Sequence, residues 1–228
     1  MVVLFDLDDT LVTHSHAFDA ATAALHAQID SSLTLAEFAA AWRSAHRRHF
    51  DRYLAGDVSY DGQRRARVWE AIDSTLSERE ADEVFALYLG IYDASCSLFP
   101  DVWPCLDSLS RYRLGLVTNG QAQQQRLKIE RMGLAERFGC VVISGECGCS
   151  KPEPDIFLHA CRLMGAEPRD AVYVGDQYEV DAVGARSAGL AGVWLDRAGV
   201  ASAGHVPPLI PSLDGLPHVI AAMEAGCE

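Results

Sequence analysis

The chain has 228 residues, 49% hydrophobic and 22% charged, with a formal net charge of −13. Those proportions suit a globular protein with a sizeable core in one large domain or two modest ones, and so acidic a balance argues against a nucleic acid polymer as partner. No run approaches the ~18 apolar residues of a membrane span, the first apolar run is four residues long and ends in acids, unlike a secretory signal, and the odd count of seven Cys reads as free thiols in a reducing, cytoplasmic setting.

Val2-Val3-Leu4-Phe5 is a short apolar, β-branched run of the kind that makes a strand buried on both faces. Asp6-Leu7-Asp8-Asp9-Thr10 follows directly, so its acids stand at the strand's carboxyl end, the edge at which open parallel sheets bind ligands. Two carboxylates one residue apart can face one crevice. Like charges ~4 Å apart repel by roughly 4 kcal/mol at an effective dielectric near 20, so such a pair points to a cation or a reaction that needs it. Taken alone, Asp-x-Asp also fits a metal grip, a turn or a helix cap. An EF-hand calcium loop does not fit, because its sixth position must be Gly and here it is Leu11.

Apolar residues then recur at helical spacing over 18–29, 35–54, 62–72 and 78–92. Ser77 with Glu80 has the form of a capping box, and Gly56-Asp57 and Asp61-Gly62 punctuate the series. From Phe99-Pro100 strands alternate with helices. Strands are predicted over 114–117, 141–144, 171–174 and 192–195; helices are predicted over 122–132, 155–164, 179–188 (stopped by Gly189) and 217–225. The alternation predicts an α/β fold, a Rossmann-like parallel sheet covered by helices on both faces. The first strand is cut off from its fellows by the helical block. The economical organisation is a core from residues 1–13 and 99–228, with an all-helical cap, 14–98, inserted.

Each core strand ends in something chemically useful. After the first come Asp6 and Asp8, and after the next Thr118-Asn119-Gly120. Lys151-Pro152 follows the third, and Gly175-Asp176, with Asp181 five residues on, the fourth. Of 19 basic residues only Lys128 and Lys151 are lysine, so Lys151 marks a place where a compact point charge is wanted. Separately these pieces read as a turn, an exposed loop and a solvated helix face; at successive strand ends they converge on one site. The P-loop and dinucleotide fingerprints are missing.

In this order, Asp6-Leu7-Asp8-Asp9-Thr10, Thr118-Asn119, Lys151-Pro152 and Gly175-Asp176 with Asp181 resemble the four motifs of the haloacid dehalogenase-like (HAD) superfamily, over essentially the whole chain. The helical insert resembles the cap of its phosphoglycolate-phosphatase-like subgroup. The resemblance implies a phosphomonoester hydrolase in which Asp6 is the nucleophile and Asp8 the general acid/base, its pKa pushed upward by Asp6 and Asp176. It implies that Thr118, the amides around Asn119 and Lys151 hold the phosphoryl group. Asp6, the backbone carbonyl of Asp8 and Asp176 would hold a Mg2+ ion, with Asp181 supporting the metal's water shell or orienting Lys151. The implied substrate is a small phosphorylated metabolite: a sugar phosphate, a nucleoside monophosphate or phosphoglycolate. The cap would close over the crevice and select it.

Other branches remain open. A phosphomutase of the same fold is the alternative, although the Asp8-Asp9-Thr10 form of the first motif resembles the phosphatases more than the hexose mutases. A dehalogenase has no acid at the position matching Asp8, since no leaving alcohol needs a proton; a phosphonatase needs a cap lysine, and residues 12–98 contain none. A non-catalytic binding protein would have lost one of these groups. Asp101 departs from the family pattern, which often has Gly there, and bears on the hinge turn. His14-Ser15-His16 reads as a solvated hinge. The basic runs His46-Arg47-Arg48-His49 and Arg64-Arg65-Ala66-Arg67 read as either helix-surface ion pairs or contacts to an anion. Tyr60, Trp69 and Trp103 read as packing.

Overall fold

The computed structural model describes residues 1–200 and 208–225; residues 201–207 and 226–228, Cys227 among them, lie outside the described residues. The chain forms two compact units, one of Met1–Thr13 with Ser97–Glu228 and one of His14–Cys96.

The first unit is built on six strands: β1 (Val2–Phe5), β2 (Arg113–Thr118), β3 (Cys140–Ile143), β4 (Ala171–Gly175), β5 (Ala191–Leu195) and β6 (Leu209–Ile210). They form one parallel sheet in the order β3-β2-β1-β4-β5-β6, the doubly wound arrangement expected from the alternation. β1 is central and all four of its residues are buried, which is why it reads as a continuous apolar run. The chain order reverses between β1 and β4, and the crevice of such a sheet opens at the carboxyl ends of those two strands. Asp6 follows β1 there and Asp176 follows β4.

The second unit is four helices: α1 (His14–His26), α2 (Leu35–Leu54), α3 (Tyr60–Ala71) and α4 (Glu78–Ser95). Its core gathers Phe18, Leu25, Phe38, Trp42, Phe85 and Tyr88 at helical spacing. Ser77 does form a capping box with Glu80: the Glu80 N–H donates to Ser77 Oγ at 3.4 Å and the Ser77 N–H donates to Glu80 Oε2 at 2.9 Å. Thr34 and Glu37 make a second box at the start of α2. Of the expected solvated hinge His14-Ser15-His16, Ser15 and His16 are exposed and His14 is half-buried. It opens α1, and its Nδ1 lies 2.6 Å from the Tyr92 hydroxyl.

The first unit adds α5 (Val102–Ser108), α6 (Ala122–Arg131), α7 (Ser144–Cys147), α8 (Pro154–Met164), α9 (Gly184–Ser187) and α10 (Leu216–Ala225). Short α5, α7 and β6 escaped the sequence reading because two to seven residues hold too little periodicity to register. The expected helix over 179–188 divides into a π-helical turn, Tyr178–Val183, and α9. The wider turn carries Asp181 inward, fully buried. Asp101, expected to bear on the hinge turn, is buried. Its carboxylate accepts two bonds from Arg197 (2.8 and 3.0 Å) and one from the Leu213 N–H (2.9 Å), tying the start of α5 to two later loops. Trp103, expected in packing, is 39% exposed.

Candidate active site

Lys151 stands at the centre. Its ammonium donates to Asp6 Oδ1 at 2.6 Å and Asp181 Oδ1 at 2.7 Å, and lies 2.8 Å from the Tyr173 hydroxyl. Burial pulls the ammonium down, but Asp181 and Asp6 overcome that and hold it above the usual lysine value. The loop that presents Lys151 is pinned by Asn119: its amide nitrogen donates to the Lys151 carbonyl and its oxygen accepts from the Lys151 N–H, both at 2.9 Å. The side chain of Asn119 therefore serves the lysine loop, and its backbone is what remains for an incoming oxyanion.

Asp181 is held on both oxygens. Oδ1 meets Lys151 and lies 3.1 Å from the Tyr173 hydroxyl, while Oδ2 accepts from the Gln177 N–H at 2.9 Å. This close approach requires Gly175, because a Cβ there would fall 2.4 Å from Asp181 Cγ.

Asp6 and Asp176 carry the electrostatic tension. Burial, together with Asp181 and Asp8 and against the pull of Lys151, raises Asp6 to about 7. Burial, Asp6 and Asp181 raise Asp176 to about 9. Among the described residues the buried Asp176 Oδ1 has no hydrogen-bond partner. Oxygens of Asp6, Asp176 and Asp181 lie within 4.8 Å of one another. An orphaned carboxylate oxygen beside a second carboxylate, both destabilised as anions, is a donor set suited to a hard divalent cation. Asp6 and Asp176 fit direct ligation; Asp181 has both oxygens already engaged within the protein.

Asp8 sits in surroundings the sequence reading missed. Lys128 Nζ donates to its Oδ1 at 2.5 Å and Gln125 Nε2 to its Oδ2 at 2.9 Å. The same Gln125 nitrogen lies 2.9 Å from Thr118 Oγ1 and 3.2 Å from the Asn119 carbonyl. The expectation for Asp8 rested on carboxylate crowding alone, and the structure adds a cation to its neighbourhood. Gln125 and Lys128 lie three residues apart on α6, hence on one face, and both are buried. A signal was available: Lys128 is the other of the chain's two lysines. Tyr173 was missed because an aromatic residue in an apolar strand reads as core.

The basic runs of the second unit divide. Arg65 bonds Asp82 at 2.8 and 2.7 Å and also pairs with Glu78, while Arg48 and His49 reach Glu70 at 2.7 and 2.8 Å. Arg67 is buried instead among Trp42, Phe85 and Tyr88, its guanidinium carbon 4.8 Å from the first two ring centroids.

A parallel sheet with buried carboxylates and a lysine at its switch point defines a class, and sequence comparison identifies it. The haloacid dehalogenase-like hydrolase family model matches residues 1–189, and the chain belongs to that family. A glyceraldehyde 3-phosphate phosphatase of Methanopyrus kandleri is 35% identical over 212 residues, 86% of this chain and 83% of the relative. An N-acylneuraminate-9-phosphatase of Rattus norvegicus is 36% identical over 170 residues, 66% of this chain and 68% of the relative. Among solved structures, a 2-haloacid dehalogenase from Pseudomonas syringae pv. Tomato DC3000 aligns with a TM-score of 0.70 at 30% identity, over 97% of this chain and 98% of that one. The HAD-hydrolase YfnB of Bacillus subtilis, bound to magnesium, aligns with a TM-score of 0.77 at 21% identity, over 96% and 97%, which shows the shared fold. Among the described residues no helix is long and apolar enough to cross a membrane.

Proposed function

We propose that this chain is a phosphatase of small phosphorylated metabolites that works through an aspartyl-phosphate on Asp6. The observation that carries the reading is the division of labour between two carboxylates two residues apart. Asp6 faces the ammonium of Lys151 at 2.6 Å, whereas Asp8 is held by Lys128 and Gln125. Each meets its own buried lysine: Lys151 joins Asp6 to Asp181, while Lys128, with Gln125, takes both oxygens of Asp8.

In the first step an Asp6 oxygen attacks phosphorus and the bond to the leaving oxygen breaks, while Asp8 gives that oxygen a proton. In the second, water attacks the aspartyl-phosphate, Asp8 takes back a proton, and inorganic phosphate leaves. Lys151 offsets negative charge on the transferring group throughout. The Thr118 hydroxyl and the backbone N–H groups beside Asn119 donate to phosphoryl oxygens. Asp181 and Tyr173 hold Lys151 in place. Asp6, Asp176 and the Asp8 carbonyl would hold Mg2+, which would supply charge neutralisation when bound.

The Pseudomonas syringae neighbour favours a second reading, release of halide from a 2-haloacid. That reading leaves Asp8 without a task, because no leaving alcohol needs a proton. The relatives named as phosphatases favour the ester.

The test is phosphate release from sugar phosphates, nucleoside monophosphates and phosphoglycolate, with 2-chloropropionate scored for halide. Each runs with Mg2+, with EDTA and with Asp6→Asn. Mg2+-dependent phosphate release that vanishes in D6N supports the reading, and the ranking names the substrate. Halide release without phosphate release would replace it.

A further inference from the structure

We infer that Gln125 and Lys128 are positioning residues of the proton-transfer machinery: together they orient the Asp8 carboxyl toward the leaving oxygen and the Thr118 hydroxyl toward the phosphoryl group. The inference rests on the phosphatase reading and goes beyond it, because neither residue belongs to the motifs that carry the family resemblance.

The geometry constrains both ends. Asp8 offers two oxygens, and each is bonded from α6, Oδ1 by Lys128 at 2.5 Å and Oδ2 by Gln125 at 2.9 Å. Two donors on one carboxylate remove its rotation about the terminal bond, which is otherwise broad. The side-chain amide of Gln125 has only one tenable orientation. Its nitrogen end faces a carboxylate oxygen and the Asn119 carbonyl, both acceptors, so a flipped amide would set oxygen against oxygen.

That assignment fixes Thr118 in turn. Gln125 Nε2 lies 2.9 Å from Thr118 Oγ1 and supplies it with a donor, so the hydroxyl must send its own hydrogen elsewhere. The acceptor found for it within the protein is the Asn119 carbonyl at 3.4 Å, a poor bond that a phosphoryl oxygen would displace. One glutamine thereby couples the acid that protonates the leaving group to the hydroxyl that grips the group being transferred. Both side chains are rigidly based: Gln125 and Lys128 are 3% and 6% exposed on a helix packed in the first unit.

The inference is tested by leaving-group dependence. An alkyl phosphate needs a proton on its departing alkoxide, whereas p-nitrophenyl phosphate expels a stable phenolate without one. The value of kcat/KM reports the first phosphoryl transfer alone, so the later hydrolysis of the aspartyl-phosphate does not blur the comparison. For K128Q and Q125A, kcat/KM on an alkyl phosphate should fall by roughly 10²-fold or more, the usual worth of general acid catalysis. On p-nitrophenyl phosphate it should stay within about threefold of wild type for K128Q, with a visible burst of phenolate as the second step becomes slow. K128R should recover part of the alkyl rate.

For K128Q, equal losses on the two esters would mean a structural role only and overturn the inference, as would no loss on either ester for K128Q or Q125A. Melting curves identify a variant that does not fold; the other variant and K128R then decide. A wild-type protein that releases phosphate from neither ester would sink the phosphatase reading itself, and this inference with it. That outcome is distinct from active enzyme with equally impaired variants.

Discussion

Lys151 is the residue on which most of the site depends. It is buried between Asp6 and Asp181, and breaking a buried ion pair by removing one partner costs about 3–5 kcal/mol. Lys151→Met should therefore lower the stability of the ligand-free protein by an amount of that order in chemical denaturation, and abolish measurable phosphate release. Lys151→Arg should restore part of the stability and little of the activity, because a planar fork cannot occupy the place of a point donor to three oxygens. Gly175→Ala tests the same cluster from the backbone side. A methyl 2.4 Å from Asp181 Cγ must push that carboxylate away from Lys151, so activity should fall more steeply than the melting temperature.

At the scale of the element, α2 shows how a helix can carry a pH response. His46 lies on it with ring centroids 5.3 Å from Phe18 and 6.5 Å from His14. Burial, then Arg67, His14, Arg43 and Arg47, holds it well below the ordinary histidine value. The unfolded chain takes up a proton near pH 6.5 while the folded protein does not. Its contribution to stability is full above that pH and is lost as pH falls toward the depressed folded value, at no more than about 1.4 kcal/mol per pH unit. His46→Gln should accordingly flatten the fall in melting temperature between pH 7 and pH 5. On the neighbouring turn of the same helix, Trp42 is fully buried against Phe38, Phe85 and Tyr88, and Trp42→Ala should cost about 3–5 kcal/mol by urea titration. These helices were visible in the sequence because a buried face repeats every three to four residues. The π-helical turn at Tyr178–Val183 was not, because its apolar spacing is that of an α-helix until Asp181 is seen to face inward.

For the whole molecule, the sign of the carboxylate shifts predicts a response to divalent cations. Asp6 and Asp176 are raised to about 7 and about 9. Carboxylates raised on folding favour the folded state at low pH, and that contribution is lost as pH rises through those values. A cation that binds the ionised cluster opposes the loss and stabilises by mass action. Mg2+ should therefore raise the melting temperature of EDTA-treated protein more at pH 8.5 than at pH 5.5, and Asp176→Asn should remove most of that difference. Equal shifts at both pH values, or none, would count against a cation site at this cluster.

The family, the α/β class and the central strand were decided by local pattern. An apolar run followed by acids, helical periodicity and ordered strand-end motifs are properties of neighbouring residues, and they are readable wherever they occur. Asp6 and Lys151 belong to that legible set. The partners of Asp8 do not: Gln125 and Lys128 stand 117 and 120 residues from it in the chain, and no local pattern links them. Asp101 meeting Arg197 is the same kind of fact, a salt bridge across 96 residues that no local pattern announces. Which lysine meets which acid was decided only when the sheet brought strand ends together, and which arginine lies among aromatic rings only when the four helices packed. Burial and charge pairing depend on distance in space, and the tertiary fold alone sets that distance.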